Sequence, residues 1–231
     1  MDLNRFRGRP QQPRVQTPTQ LNTRRGVVTV VPACSAAELR SLGIDNGLGF
    51  FWHYRSDLQH EALVKIAAQP HGRVTLAYSD ERVIVGYVTV SDPDPDMRWG
   101  RDRIEGLYEL GGIEVGRTWR GLGISGALLS ALFSNGTYDN AIVLATGYRW
   151  CWDYESSGMT VREYRDMLHK TMWRFGFRFF ETDEPNIAWY PDNALVARVG
   201  KKVSRELMAK FKGLLFENVG SEYALSEFVG R

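Results

Sequence analysis

The chain reads as an α/β protein of the mixed α+β kind, helices flanking one central sheet, and three observations predict it. Short β-rich runs alternate with stretches of helical period from Gly26 to Phe216. Two of the runs, Arg73–Tyr78 and Val83–Ser91, are separated only by Ser79-Asp80-Glu81-Arg82, which marks an antiparallel hairpin. A third run, Leu107–Val115, leads into a glycine-rich turn that opens a helix. With 231 residues, 43% of them hydrophobic, the chain can bury one core, or one core plus an appendage.

Taken in order, Gly26–Ala33 is a first strand. Ser35-Ala36-Ala37-Glu38 is a capping box that starts a helix. Ser56-Asp57-Leu58-Gln59 is read as a second box, opening a helix through Ala68 with Leu58, Ala62 and Ile66 on one side. After the hairpin, Asp92–Gly106 is a polar loop, followed by the strand Leu107–Val115 and a helix over Gly123–Phe133 that stops at Asn135-Gly136. Asn140–Thr146 is a buried-type strand. A loop carrying Trp150 and Trp152 precedes the helix Thr160–Phe175, whose stripe is Val161, Tyr164, Leu168, Met172 and Phe175. Phe177–Thr182 reads as a strand, and Asn193–Val199 and Ser204–Phe216 read as helices. The expected organisation is an arm over 1–25, a main folded domain over 26–200 and a C-terminal helical extension over 201–231.

The net charge is +2, which argues against a dedicated nucleic-acid binder. The charge is uneven. Residues 1–25 hold Arg5, Arg7, Arg9, Arg14, Arg24 and Arg25 against the single acid Asp2, with Pro10, Pro13 and Pro18 and few aliphatic residues, so a loosely attached arm is expected there. Cys34 and Cys151 have no metal-ligand spacing, and no apolar run approaches a membrane span or a signal-peptide core. The expected compartment is the reducing cytoplasm, with no membrane partner.

The most informative stretch is Gly111–Leu129. A strand delivering Arg120-Gly121-Leu122-Gly123 onto a helix start aims unpaired backbone N–H groups, with the helix dipole behind them, at one point. Such a point suits a phosphate or pyrophosphate. Glycine matters because a side chain would hold the phosphate off the backbone.

This segment resembles the acetyl-CoA-binding segment of the GNAT family of N-acetyltransferases, whose pattern is Arg/Gln-x-x-Gly-x-Gly/Ala. Arg120 and Gly123 fit it. Ser125 departs from it, with Gly126 one step later. Six further segments resemble the acetoin-utilisation branch of that family: His60–Val74, Ile84–Trp99, Tyr108–Val115, Trp150–Met159, Glu163–Met172 and Thr182–Ser204. The resemblance implies a mixed, mostly antiparallel sheet with one splayed strand pair. It implies acetyl-CoA as co-substrate, with the pantetheine arm against the backbone of Ile113, Glu114 and Val115. The pyrophosphate would lie over Arg120, Gly121, Leu122, Gly123, Ile124, Ser125 and Gly126. The branch further implies acetyl-CoA synthetase as the protein acceptor, acetylated on a lysine and thereby inactivated.

Acetylating a lysine requires its neutral form, which at pH 7 is roughly one molecule in 2,500 for a pKa of ~10.4, a cost of about 4.6 kcal/mol. A carboxylate that takes the proton offsets part of this. Glu109 and Glu114 both lie on the strand that enters the glycine turn. Simple alternation sets Glu109 on one face with Gly111, Ile113 and Val115, and Glu114 on the other. A bulge would break that alternation, so both stay open as the base. By resemblance, a general-acid tyrosine is expected four residues before Gly176, where this chain has Met172. Tyr154 and Tyr164 are the substitutes. Trp150 and Trp152 are expected as anchors for a protein acceptor.

No metal is expected. Asp92-Pro93-Asp94-Pro95-Asp96 begins like a calcium loop but lacks the glycine and the final glutamate such a loop needs. His53, His60, His71 and His169 have no ligand spacing. Two rivals remain, a small-amine acetyltransferase and a protein that inhibits the synthetase by binding alone. Oligomeric state is left open by the sequence.

Overall fold

The computed structural model describes residues 17–217. Among them nine strands form one sheet. They are β1 (Thr19–Thr23), β2 (Gly26–Val31), β3 (Gly43–Ile44), β4 (Arg73–Ser79), β5 (Val83–Ser91), β6 (Leu107–Val115), β7 (Ile142–Gly147), β8 (Phe177–Phe180) and β9 (Ala194–Val199). The helices are α1 (Ala36–Arg40), α2 (Ser56–Ala67), α3 (Ile124–Phe133), α4 (Val161–Trp173), α5 (Pro185–Ala188) and α6 (Arg205–Gly213). In space the strands run β1, β2, β4, β5, β6, β7, β9, β8, with β3 attached to the start of β5. Only β3–β5 and β6–β7 are parallel. The mixed, mostly antiparallel sheet is therefore present.

Each face of the sheet is covered, which is why the central strand β5 is apolar almost throughout. On one face α3 and α4 pack Ile124, Leu128, Leu129, Leu132 and Met172 against Val85, Val88, Leu110 and Val143. The approach is close: a Cβ on Gly86 would meet the Glu114 carbonyl at 3.1 Å and Ile124 at 3.2 Å. The other face has two separate covers. α1 and α2 bury Leu39 and Leu63 against Leu76, Ile84 and Tyr87. α6 and the loop residue Trp99 bury Leu207 and Phe211 against Leu107, Ile142 and Leu144. The middle of β6 lies between these two covers.

Four expectations change. Ala194–Val199 is a strand, not a helix: Leu195 and Ala197 face the α6 cover while Val196 faces α3 and α4, a period of two. Its Ala, Leu and Arg residues favour helix by propensity, but a vacant slot between β7 and β8 offers pairing on both edges. Part of the expected arm is also structured, since Thr19–Thr23 pairs antiparallel with β2; residues 1–16 lie outside the described residues. Ser56 is inside α2 rather than capping it, and Arg55 at the cap makes no side-chain cap bond. The helix expected as an extension, α6, closes the core beneath β6, and residues 218–231 lie outside the described residues. By contrast, the Ser35/Glu38 capping box forms as read, and Thr160 and Glu163 form another at the start of α4.

Candidate active site

β6 carries the site, and one irregularity sets its geometry. Thr89 of β5 pairs with Gly112 while Val90 pairs with Leu110, so Gly111 is an extra, bulged residue. Tyr108 and Leu110 before the bulge, and Ile113 and Val115 after it, all pack toward α3 and α4. Glu109 and Glu114 therefore share the opposite face, in the gap between the two covers. The expectation from strict alternation, with Glu109 beside Ile113 and Val115, is corrected by this bulge.

β6 pairs with β7 only over Leu107–Glu109. Beyond Glu109 the two strands separate, while β6 remains paired to β5 through Val115 and β7 to β9 through Gly147. The expected splayed pair is thus β6 and β7. Its opening leaves one backbone edge of residues 110–115 without a strand partner, with the Val115 carbonyl taken by Arg120, and its apex is Glu109.

The two carboxylates have different surroundings. Glu109 is largely buried and accepts one bond from the Thr146 hydroxyl of β7, at 3.2 Å. Burial raises its pKa above the usual glutamate range. The charge of Asp94 adds to this, and the Thr146 hydroxyl and Asp94 backbone only partly oppose it. Glu114 is saturated: its oxygens accept from the Gly49 N–H at 3.0 and 3.1 Å, the Phe50 N–H at 3.0 Å and the Tyr87 hydroxyl at 2.7 Å. Burial beside this carboxylate pushes the Tyr87 phenol well above its ordinary value. Glu114 staples the loop before α2 to the strand.

Past β6 the chain makes one tight turn over Arg117–Trp119 and enters α3 through left-handed Gly121 and Gly123, at φ 72° and 80°. Gly123 caps the helix without any side-chain bond. Leu122 and Ile124 point into the core. At Gly121, Gly123 and Gly126 a Cβ would meet nothing within 4 Å, so Ser125 and the N–H groups of this turn border open space. That is the cradle a pyrophosphate needs, and the unpaired β6 edge leads from it to Glu109.

Arg120 does not reach over the cradle. Its guanidinium donates to Asp153 at 2.6 Å and Ser156 at 3.0 Å, and its Nε to the Val115 carbonyl at 3.3 Å. Asp153, buried, also accepts from Ser156 and pairs with Arg117 at 3.4 Å. Arg117 in turn lies 3.8 Å over the Tyr54 ring. Burial alone would raise the Asp153 pKa, but hydrogen bonds from Ser156 and Arg120 and the Arg120 charge hold it at about 2. This network ties the glycine turn to the loop after β7. Sequence reading missed Asp153, because an isolated acid in a loop has no periodicity to betray its burial.

Trp150 and Trp152 part company. Trp150 is half exposed, stacked on Tyr148 at 4.9 Å and edge-on to Tyr190 at 5.8 Å. Trp152 is buried against Tyr164, so it is a core residue and not a surface anchor. Met172, in the slot where a tyrosine acid was expected, is buried in the core. Tyr164 packs on Trp152, and its burial raises its pKa. Among the described residues no group of three His, Cys, Asp or Glu side chains could hold a metal, and no helix is long and apolar enough to cross a membrane.

A sheet whose bulged central strand splays from its parallel neighbour and delivers an open glycine turn to a helix is the arrangement that the sequence resemblance implied. No family model matches the chain. It is 45% identical over 158 residues to the acetoin utilization protein AcuA of Bacillus subtilis (strain 168), covering 68% of this chain and 75% of that protein. It is 38% identical over 199 residues to AcuA of Bacillus licheniformis, covering 86% and 93%. The crystal structure of an acetoin utilization protein from Exiguobacterium sibiricum 255-15 is 37% identical, with a TM-score of 0.82 over 87% of this chain and 93% of that one. The chain belongs to the family of the acetoin utilization protein AcuA.

Proposed function

We propose that this protein transfers the acetyl group of acetyl-CoA to a lysine of a protein acceptor, acetyl-CoA synthetase, with Glu109 as the general base. The observation that carries the reading is the buried Glu109 carboxyl with its raised pKa at the apex of the β6–β7 opening. A base is most effective when its pKa approaches the working pH, and burial moves a glutamate in that direction. Glu114 is assigned a positioning role, because its oxygens are already engaged by Gly49, Phe50 and Tyr87.

The residues present fit the co-substrate. The capless start of α3 and the unobstructed Gly121, Gly123 and Gly126 suit a pyrophosphate, and the unpaired β6 edge offers amide and carbonyl groups to a pantetheine arm. When bound, acetyl-CoA supplies an activated thioester acetyl group. Glu109 takes a proton from the acceptor ammonium, the freed amine attacks the thioester carbonyl, the amide C–N bond forms as the C–S bond breaks, and CoA leaves as its thiolate, while the Arg120–Asp153 pair holds the turn in place. The family relationship supports acetyl-CoA synthetase as acceptor, and the half-exposed Trp150 is the kind of aromatic a protein partner would cover. The free Cys34 and Cys151 fit a reducing cytoplasm.

The test incubates the protein with acetyl-CoA and either acetyl-CoA synthetase or free polyamines, and reads acetylation by mass spectrometry. Acetyl-lysine on the synthetase is expected. Acetylation of polyamines with none on the synthetase would replace the acceptor by a small amine. Loss of synthetase activity without acetyl-CoA would make the protein a binding inhibitor.

A further inference from the structure

Glu184 is a buried carboxylate that nothing in the assignments above uses. It precedes α5, is 7% exposed, and one of its oxygens, Oε2, has no hydrogen-bond partner among the described residues. Its other oxygen, Oε1, accepts from the Asn186 side-chain amide at 3.1 Å. The phenol of Tyr148 is likewise buried and unpartnered among the described residues, and it lies beside both Glu184 and Glu109. Burial first, and then the charges of Glu184 and Glu109, push its pKa up to about 12 against the opposing pull of the nearby Thr146 hydroxyl, so it stays a protonated, neutral phenol. A buried carboxylate oxygen without a donor is costly, and a ligand that brings a donor to it would remove that cost.

The surroundings say what that donor is. Thr146 of β7 donates to Glu109 on the face between the two covers, and Tyr148 follows directly on the end of β7. Tyr148 continues outward into Trp150, stacked on it, and Trp150 meets Tyr190 edge-on. The loop bearing Glu184 and Tyr190 is fastened to the loop bearing Tyr148 and Trp150. Asn193 accepts from the Arg149 N–H at 2.8 Å and donates to the Asn186 carbonyl at 2.6 Å. Arg149 pairs with Asp192 at 3.7 Å, and the nearby cation Arg98 pairs with Asp183. The result is an aromatic rim leading to two carboxylates and a phenol.

We propose that Glu184 Oε2 and Tyr148 Oη form the receiving site for the cationic head of the acceptor side chain, an alkylammonium whose methylene stem lies along Trp150 and Tyr190. The chemistry fits a lysine: an ammonium brings N–H donors to both orphaned oxygens, a stem of methylenes covers aromatic faces, and the flat rings favour a cation. Glu184 acts as a specificity residue, holding the amine before Glu109 removes its proton. This inference rests on the acetyltransferase reading for its role but not for its binding chemistry.

The experiment therefore reads binding and turnover separately. The CoA-loaded protein is titrated calorimetrically with n-butylammonium and with n-butanol, for wild type, Glu184→Gln and Tyr148→Phe. The glutamine keeps the shape of the side chain and an oxygen for Asn186, so the loop stays folded. Wild type binding the ammonium but not the alcohol, with affinity falling about 10-fold or more in Glu184→Gln and less in Tyr148→Phe, is expected. In acetyl transfer to the synthetase, Glu184→Gln should raise the acceptor KM by a similar factor while kcat stays within about 3-fold. Equal ammonium binding by wild type and Glu184→Gln, or equal binding of alcohol and ammonium, would overturn the proposal. Normal ammonium binding with no acetyl transfer to any amine would instead overturn the transferase reading and leave this site standing.

Discussion

Glu109 and Glu114 stand on the same face of the same strand, yet one has few donors and the other is saturated. Glu109, at the apex of the splay, accepts one side-chain bond from Thr146, and burial lifts its pKa. Glu114, nearer the glycine turn, accepts from two backbone N–H groups and a phenol. The Glu114 oxygens are already occupied by fixed donors and tied to the loop before α2, so they are not free to meet an incoming amine. A carboxylate short of donors in a dry site is the better base. The same strand thus separates proton removal from loop attachment, through how many donors each neighbourhood supplies.

The largest effect that sharpens this contrast is on turnover. Glu109→Gln should lower the acetylation rate by roughly 10²–10⁴-fold while leaving the acetyl-CoA thermal shift near that of wild type. Its stability should equal or exceed wild type at pH 8: a carboxyl with a raised folded pKa contributes stability at low pH that is lost as pH rises through that pKa, and glutamine escapes this loss. Next, Asp153→Ala should cost about 1–3 kcal/mol in a denaturant melt, because it removes the buried carboxylate shared by Arg120 and Arg117 while Arg120 keeps only Ser156 and the Val115 carbonyl. In wild type, the Asp153 contribution of about 2 kcal/mol is present above pH ~4 and fades toward pH ~2, since its folded pKa is depressed to about 2.

Gly123→Asp should abolish stabilisation by acetyl-CoA, worth about 2.7 kcal/mol in wild type at 100 times the dissociation constant. The carboxylate would occupy the phosphate position, and the left-handed backbone at φ 80° would be strained. Trp150→Ala should weaken acceptor affinity by about 2 kcal/mol with little change in melting, whereas Trp152→Ala should lower melting instead. Smallest, Glu114→Gln should cost about 1–2 kcal/mol of stability and a few-fold in rate, because a glutamine oxygen still accepts from the Gly49 and Phe50 N–H groups.

Much of this arrangement was legible in the sequence where local rules decide it. The glycine turn, the β4–β5 hairpin and the Ser35 capping box depend on residues close in sequence, and all three form. What was illegible depends on tertiary context. Ala194–Val199 carries helix-favouring residues and becomes a strand only because β7 and β8 flank it. The bulge at Gly111 decides which face each glutamate takes, and it is set by the register against Thr89 and Val90. The burial of Trp152 and the exposure of Trp150 cannot be told apart in a loop with no period. Asp153 and Glu184 acquire their roles from partners distant in sequence, among them Arg117, Arg120 and Tyr148.

The pH dependence of acetyl transfer to the synthetase, at saturating acetyl-CoA, tests the central claim most directly when wild type, Glu109→Gln and Glu114→Gln are compared over pH 5–9. Wild type and Glu114→Gln should share an acid limb set by the raised Glu109 pKa, above the range of an ordinary glutamate. Glu109→Gln should lose that limb along with most of its rate. A Glu109→Gln enzyme that keeps wild-type rates and the same acid limb, while Glu114→Gln loses both, would reverse the assignment and contradict the account.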